Sequence, residues 1–241
     1  MLLEARGISK AVKSKVILNN VSLSFNAGEV VGILGPNGAG KTTLFLILSG
    51  IATATSGDIV LAGRRITAFR IRQKARAGLV YLPQDSSIFR GLSVEDNIRA
   101  ILQLRKLSTD EIETQLDELL EVFSIRHLRK ARATVLSGGE RRKLEIARAL
   151  ATRPSFLMLD EPFSGVDPIS IEDIVKTIKT LKRAKIGVII TDHNVVETLR
   201  VIDRGYVIVG GRILASGSSS EIAQNEEVKA RYLGTILTRA N

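Results

Sequence analysis

The chain has 241 residues, of which 44% are apolar and only 4% aromatic, with no cysteine and a formal net charge of +10. That length suits one large domain or two small ones, and the absence of cysteine excludes disulfides and thiolate metal sites. Glu4 and Arg6 interrupt the N-terminal apolar stretch, so no signal peptide is expected, and no apolar run reaches the roughly 18 residues of a membrane span.

In chain order, residues 2–8, 16–25 and 30–34 read as strands, with Asn19-Asn20 and Asn26-Ala27-Gly28 as turn signals between them. Gly35-Pro36-Asn37-Gly38-Ala39-Gly40-Lys41-Thr42 follows and fits G-x-x-x-x-G-K-[ST] at every fixed position. The apolar residues before it read as a buried strand, and those from Thr43 onward as a helix. Glycines there let backbone N–H groups wrap phosphates closely. Lys41 would reach the β- and γ-phosphates of ATP, and the Thr42 hydroxyl would ligate Mg2+.

Short strands follow at 59–61 and 79–82. Between them Arg64, Arg65, Arg70, Arg72, Lys74 and Arg76 form the densest basic stretch, read as a solvated face. Attraction to an anionic membrane surface is the sharper alternative. No aromatic ladder or zinc spacing accompanies these charges, so no nucleic-acid partner is expected. Gln84 sits just past the 79–82 strand.

Residues 93–133 are mostly helical. Ser108-x-x-Glu111 is a capping box, after which Ile112, Leu116, Leu119, Leu120 and Phe123 fall on one face. Leu136-Ser137-Gly138-Gly139-Glu140 then opens another helix with a second capping box. A cap needs no glycine, and glycine weakens a helix, so Gly138 and Gly139 are expected to mark close backbone approach to a ligand.

From residue 155 strands and helices alternate again: a strand at 156–159, a helix at 169–181, and strands at 186–191, 204–209 and 212–215. The first of these runs into Asp160 and Glu161. Ligands gather at the C-terminal ends of strands in open α/β sheets, so Asp160 would hold Mg2+ and Glu161 would orient or deprotonate the attacking water. His193 follows another apolar strand. Gln84 and His193 should both lie on the edge that carries Glu161, within reach of a γ-phosphate or its water. The alternation argues for a parallel sheet with helices on both faces. The chain has one carboxylate pair and one Lys-Thr set but two glycine cradles. The simplest geometry has the Ser137 turn completing a site on a second copy, in a homodimer holding two ATP molecules.

Together these residues resemble the ATP-binding cassette (ABC) ATPases over essentially the whole chain. Residues 35–42 look like the Walker A loop, Gln84 like the Q-loop, and 136–140 like the signature motif. Residues 156–161 look like Walker B, Ser164-Gly165-Val166-Asp167 like the D-loop, and His193 like the switch histidine. The resemblance implies an α/β P-loop NTPase fold: a parallel-sheet core, an N-terminal antiparallel β-subdomain and a helical subdomain over approximately residues 85–152, all in one domain, 1–241. It implies nucleotide contact by Gly35, Pro36, Asn37, Gly38, Ala39, Gly40, Lys41, Thr42 and Thr43, with Ser137, Gly138, Gly139 and Glu140 acting in trans. It implies metal contact by Thr42, Gln84 and Asp160, and catalysis by Glu161, His193 and Gln84.

Residues 82–94, 137–151, 159–169, 190–199 and 227–234 are similar to one branch, the ATPases of lipopolysaccharide exporters in Gram-negative inner membranes. That similarity implies two transmembrane permease subunits as partners. Ile88, Phe89 and Arg90 would line the groove for a coupling helix, and the chain would sit on the cytoplasmic face of the inner membrane, partly in the cytoplasm. Branched-chain amino-acid importers share much of this pattern. Soluble ABC proteins acting on ribosomes or DNA usually carry two cassettes or a long insertion, which this chain lacks. Two stretches depart from the pattern. Val12 takes the place where the family usually has an aromatic residue to stack on adenine, and residues 235–241 match nothing to which a role transfers.

Overall fold

The computed structural model describes residues 1–234; the unassigned tail at 235–241 lies outside them. The chain begins with two long strands, β1 (Leu2–Val12) and β2 (Lys15–Asn26), then β3 (Val30–Leu34) and helix α1 (Lys41–Ser49). Next come β4 (Ser56–Leu61), β5 (Arg64–Arg65), α2 (Ile71–Arg76) and β6 (Leu79–Leu82). Three helices follow, α3 (Val94–Leu102), α4 (Thr109–Val122) and α5 (Gly138–Leu150). The remainder alternates: β7 (Phe156–Asp160), α6 (Pro168–Arg183), β8 (Gly187–Thr191), α7 (Val195–Val201), β9 (Arg204–Val209), β10 (Arg212–Ser218) and α8 (Ser219–Gln224).

The strands form two sheets. A four-stranded sheet runs β2-β1-β4-β5, antiparallel throughout. A six-stranded sheet runs β10-β9-β3-β8-β7-β6, parallel except for β9 with β10. β3, β7 and β8 are buried at every residue. This is why they read as unbroken apolar runs rather than alternating ones: helices or the second sheet cover both faces. One apolar cluster fills the side of α3 to α8; the other joins α1 to the antiparallel sheet. Fully buried Phe45 and Phe156 anchor the second cluster, each worth roughly 1.5–3 kcal/mol by burial.

This order positions the site. β3 lies beside β8, β8 beside β7, and β7 beside β6, so the segments leaving these four parallel strands emerge on one edge. They are the segments that carry the glycine turn, His193, Glu161 and Gln84.

Two expectations need correction. Asn19-Asn20 is not a turn between strands. β2 continues through it, and the hairpin turns instead at Lys13-Ser14. Asn20 adopts φ 55° and its amide donates to Ser9 Oγ at 3.0 Å, where the β1–β2 register shifts. Asparagine tolerates left-handed backbone, and here that tolerance makes a bulge. The basic stretch is not wholly a solvated face either. Lys74 is fully buried, its Nζ donating to Ile47 O at 2.9 Å near the end of α1. Arg65 pairs with Asp58, and the Arg64 guanidinium lies 5.0 Å over Phe69.

Candidate nucleotide site

The glycine turn delivers α1 with an open N-terminus. Its N-cap is Gly40, at φ 104°, with no side-chain cap and no acidic residue in the first turn. Unclaimed N–H groups and the helix dipole then favour an anion. Gly40 also has to be glycine for packing, because a Cβ would stand 2.7 Å from Leu18 Cδ2 and 2.9 Å from Ile17 O. Lys41 folds back over the turn, donating to Gly35 O at 2.6 Å and Pro36 O at 3.0 Å. Burial lowers its pKa, against the opposing pull of the Glu161, Asp160 and Asp192 carboxylates. Thr42 next to it is exposed.

Asp160 ends β7 and is buried. Tyr81 OH donates to its Oδ2 at 2.9 Å, and Thr191 Oγ1 to its Oδ1 at 2.5 Å. Burial first, and then Asp160 itself, push the Tyr81 phenol pKa up. Glu161 follows in left-handed backbone, φ 45°, its amide donating to Thr191 O at 2.7 Å. A non-glycine residue in that region stores strain of about 1–3 kcal/mol and often marks a working site. The turn aims Glu161 at its neighbours. Gln84 Nε2 donates to Glu161 Oε2 at 2.8 Å, and His193 Nδ1 lies 3.3 Å from the same oxygen. Asp192, fully buried, accepts from the amides of Phe163 and Asn194, both at 2.8 Å, and burial raises its pKa.

The structure therefore brings Gln84, Glu161 and His193 onto one carboxylate oxygen, with Asp160 adjacent in sequence. Sequence reasoning missed Tyr81, Thr191 and Asp192. Thr191 was within reach of it, because the β7–β8 register pairs Asp160 directly with Thr191. Mg2+ takes oxygen ligands, usually one or two from protein and the rest from phosphate and water. Thr42 offers an exposed hydroxyl, and Asp160 a buried carboxylate that already accepts from Tyr81 and Thr191. No cluster of three or more metal-binding side chains occurs among the described residues.

The second turn is built differently. The Ser137 amide donates to Glu140 Oε2 at 2.8 Å, and Ser137 Oγ accepts from the Glu140 amide at 3.3 Å. Hydrogen bonds from the Ser137 amide first, and then from its side chain, hold the Glu140 carboxyl below its ordinary pKa. The two glycines have separate reasons, which corrects the joint reading. A Cβ on Gly139 would stand 2.6 Å from Ser170 Oγ and 2.9 Å from Ser170 Cβ, so that glycine serves the packing of α5 on α6. A Cβ on Gly138 would meet nothing within 4 Å. Gly138 faces a cavity of about 300 Å3 whose rim also carries Gln84, Glu161, Arg90 and Ser164. Arg142 tethers α5 to this region, donating to Glu145 Oε2 at 2.9 Å and Pro83 O at 3.3 Å.

Ile88 is buried, while Phe89 is 47% exposed with the Arg148 guanidinium 4.8 Å from its ring centre. Arg90 is exposed. Arg148 and Ser87 also line an apolar groove of about 510 Å3 that includes exposed Ile51 and Ile71.

A glycine turn on a parallel sheet, with a lysine and strand-end carboxylates around it, defines a P-loop nucleoside triphosphatase. The sequence pattern of the family described as ABC transporter matches residues 18–164. An uncharacterized ABC transporter ATP-binding protein of Rhizobium meliloti (strain 1021) is 53% identical over 95% of this chain and 85% of its own. The lipopolysaccharide export system ATP-binding protein LptB of Escherichia coli (strain K12) is 50% identical over 96% of this chain and 97% of its own. The crystal structure of the ADP conformation of MJ1267, an ATP-binding cassette of an ABC transporter, superposes with TM-score 0.86 at 28% identity, covering 97% of this chain and 98% of that one. The chain belongs to the ABC transporter family, as an ATP-binding subunit whose ATP hydrolysis is coupled to transport.

Proposed function

We propose that the chain is the ATPase of a lipopolysaccharide exporter, working as a homodimer that closes around two ATP molecules. The observation that carries the ATPase chemistry is the convergence of Gln84 and His193 on Glu161 Oε2. A carboxylate held from two sides is oriented to take a proton from water or to align it, an effect worth about 10² to 10⁴ in rate. Gly35 to Thr43 bind the phosphates, and Lys41 exchanges its loop carbonyls for phosphate oxygens. Mg2+, when bound, neutralises phosphate charge. Thr42 and Asp160 would hold it, with Gln84 alongside. Ser137, Gly138 and Gly139 present a hydroxyl and backbone amides to the partner's nucleotide, and Glu140 fixes their geometry through its cap.

The cargo reading is supported by the LptB relatives, 46–50% identical over nearly the whole chain. No described helix is long and apolar enough to cross a membrane, so two transmembrane permease subunits carry the substrate path. They hold the chain at the cytoplasmic face of the inner membrane. Exposed Phe89 and Arg90, with buried Ile88 behind them, receive a permease helix. The chain is one cassette, its helical part over about residues 85–152 moving with that helix.

Affinity purification of the full chain from native membranes tests this reading. Two integral-membrane subunits and bound lipopolysaccharide are expected. Capture of a soluble ribosomal partner with no membrane subunit would sink it.

A further inference from the structure

Between Asp58 and Asp85 the chain carries five arginines, one lysine and no acid. The structure sorts these cations. Lys74 is the buried one, spent on Ile47 O at the end of α1. Arg64, Arg65, Arg70, Arg72 and Arg76 are all exposed. Among the described residues only Arg65 of these meets a carboxylate, that of Asp58. Arg72 and Arg76 lie two positions either side of Lys74 in α2. At about 100° per helical residue, both stand on the face opposite Lys74, one turn apart. Arg64 joins them from the edge strand β5, its guanidinium 5.0 Å over Phe69 at the entry to α2.

Apolar residues interrupt this charge. Ile71 stands between Arg70 and Arg72 and is 46% exposed, and Ile51 is 52% exposed. Both line the groove that Arg148 also lines, and Arg148 lies against Phe89. The arginine face therefore continues into the surface proposed to receive a permease helix. It is also firmly seated: a Cβ on Gly50, at the end of α1, would stand 2.6 Å from Phe69 O.

The chemistry of the face selects its partner. A guanidinium grips two phosphate oxygens at once, where an ammonium is a point charge, and every outward cation of this run is a guanidinium. Exposed isoleucine among them suits the boundary between headgroups and acyl chains. A single-stranded nucleic acid would call for rings on which bases stack, but Phe69 lies under Arg64 and Tyr81 holds Asp160.

We infer that the face made by α2 and β5 docks on the anionic phospholipid surface of the membrane that carries the permease. Arg64, Arg70, Arg72 and Arg76 contact headgroup phosphates, with Ile71 between them. This rests on the reading that places the chain at a membrane face, and adds that the chain itself touches lipid.

Flotation of the purified full chain with vesicles is the test. It needs neither permease nor cargo, so it can fail while the exporter reading stands. Vesicles of phosphatidylcholine mixed with phosphatidylglycerol should carry the chain upward. Vesicles of phosphatidylcholine alone should not, and added salt should release the chain. Arg72→Gln with Arg76→Gln should weaken binding roughly 30-fold, about fivefold for each charge at an anionic surface, while ATP hydrolysis in solution keeps the parent rate. Lys179→Gln with Arg183→Gln removes the same charge from exposed positions on α6 and should leave binding unchanged. Failure to bind the anionic vesicles, or equal binding to both kinds, overturns the inference. So does an arginine pair whose loss costs no more than that of the α6 pair. Tighter binding to a random DNA duplex than to anionic vesicles, at equal phosphate and salt, overturns it in favour of nucleic acid. Loss of the permease subunits from the affinity-purified Arg72→Gln, Arg76→Gln chain, with vesicle binding intact, overturns it in favour of a protein partner.

Discussion

The two glycine turns, at Gly40 and at Ser137, each open a helix, yet their ends are finished in opposite ways. α1 starts with no cap, no acid in its first turn and a lysine poised over the loop carbonyls. α5 starts with a closed capping box and Glu140 in its first turn. An uncapped N-terminus is a charge site in its own right. A capped one has spent its best donors internally and retains two glycine amides. The first turn can hold phosphates alone. The second can only add to a site that something else has built.

The largest test of that contrast is chemical. Glu161→Gln should cut ATP hydrolysis by about 10²- to 10⁴-fold while nucleotide binding to the first turn persists. Phosphate release against equilibrium binding reads both, and a variant that keeps its rate would remove Glu161 from the reaction. Next comes Ser137→Arg. Turnover should fall to a similar floor while the isolated chain binds ATP as before, with a cost of about 1 kcal/mol from the lost cap. If binding by the isolated chain collapses instead, the second turn serves its own chain's nucleotide. Gly138 and Glu161 share one cavity rim, so that outcome has a geometry behind it.

Much of this contrast is legible in the sequence, and the reasons differ by residue. The first turn is legible because lysine, threonine and glycine at that spacing have one well-defined use. The closed caps at Ser108 and Ser137 are legible because a capping box is local, decided within four residues. Gln84 and His193 become legible once the sheet is drawn, since each follows a strand on the same edge. Three features resist. Asn20 carries a turn residue's backbone but sits opposite β1, and tertiary pairing overrides the local signal. Lys74 looks like one more surface cation until α2 folds against the end of α1. Gly139 looks like Gly138 until α6 arrives, because what separates them is the Ser170 side chain, 31 positions downstream.

Gly139→Ala exploits that difference. Its Cβ would sit inside contact distance of Ser170 Oγ and Cβ, so α5 and α6 must separate. Overpacking of this kind costs about 1–3 kcal/mol, measurable by denaturant unfolding. Ser170→Gly in the same chain should recover most of it; no recovery would mean that Gly139 is needed for some other contact. The far end of α1 supplies a smaller effect. Burial takes the Lys74 pKa from 10.5 down to about 8, so between those values the unfolded chain holds the proton more firmly. This residue's contribution to stability therefore rises with pH across that window. Lys74→Met should flatten the rise by at most about 1.4 kcal/mol per pH unit, the slope of one proton. Unfolding at pH 8, 9 and 10 checks it, and equal slopes in the two chains would mean that Lys74 keeps an ordinary pKa.

Gly138→Ala should have the smallest effect on the isolated chain and is for that reason the sharpest probe of the second turn. Nothing lies within 4 Å of the added Cβ, so folding meets no clash. Alanine in a helix gains about 0.5–1 kcal/mol over glycine, and the unfolding midpoint should hold or rise slightly. ATP binding by the monomer should be unchanged, because Gly138 is no part of the first turn. If a second chain's nucleotide comes against this backbone, the methyl occupies space that phosphate needs, and turnover should drop even though stability does not. A chain that is equally stable and equally active would show that nothing approaches Gly138 closely, and the second turn would then be a capped helix and no more.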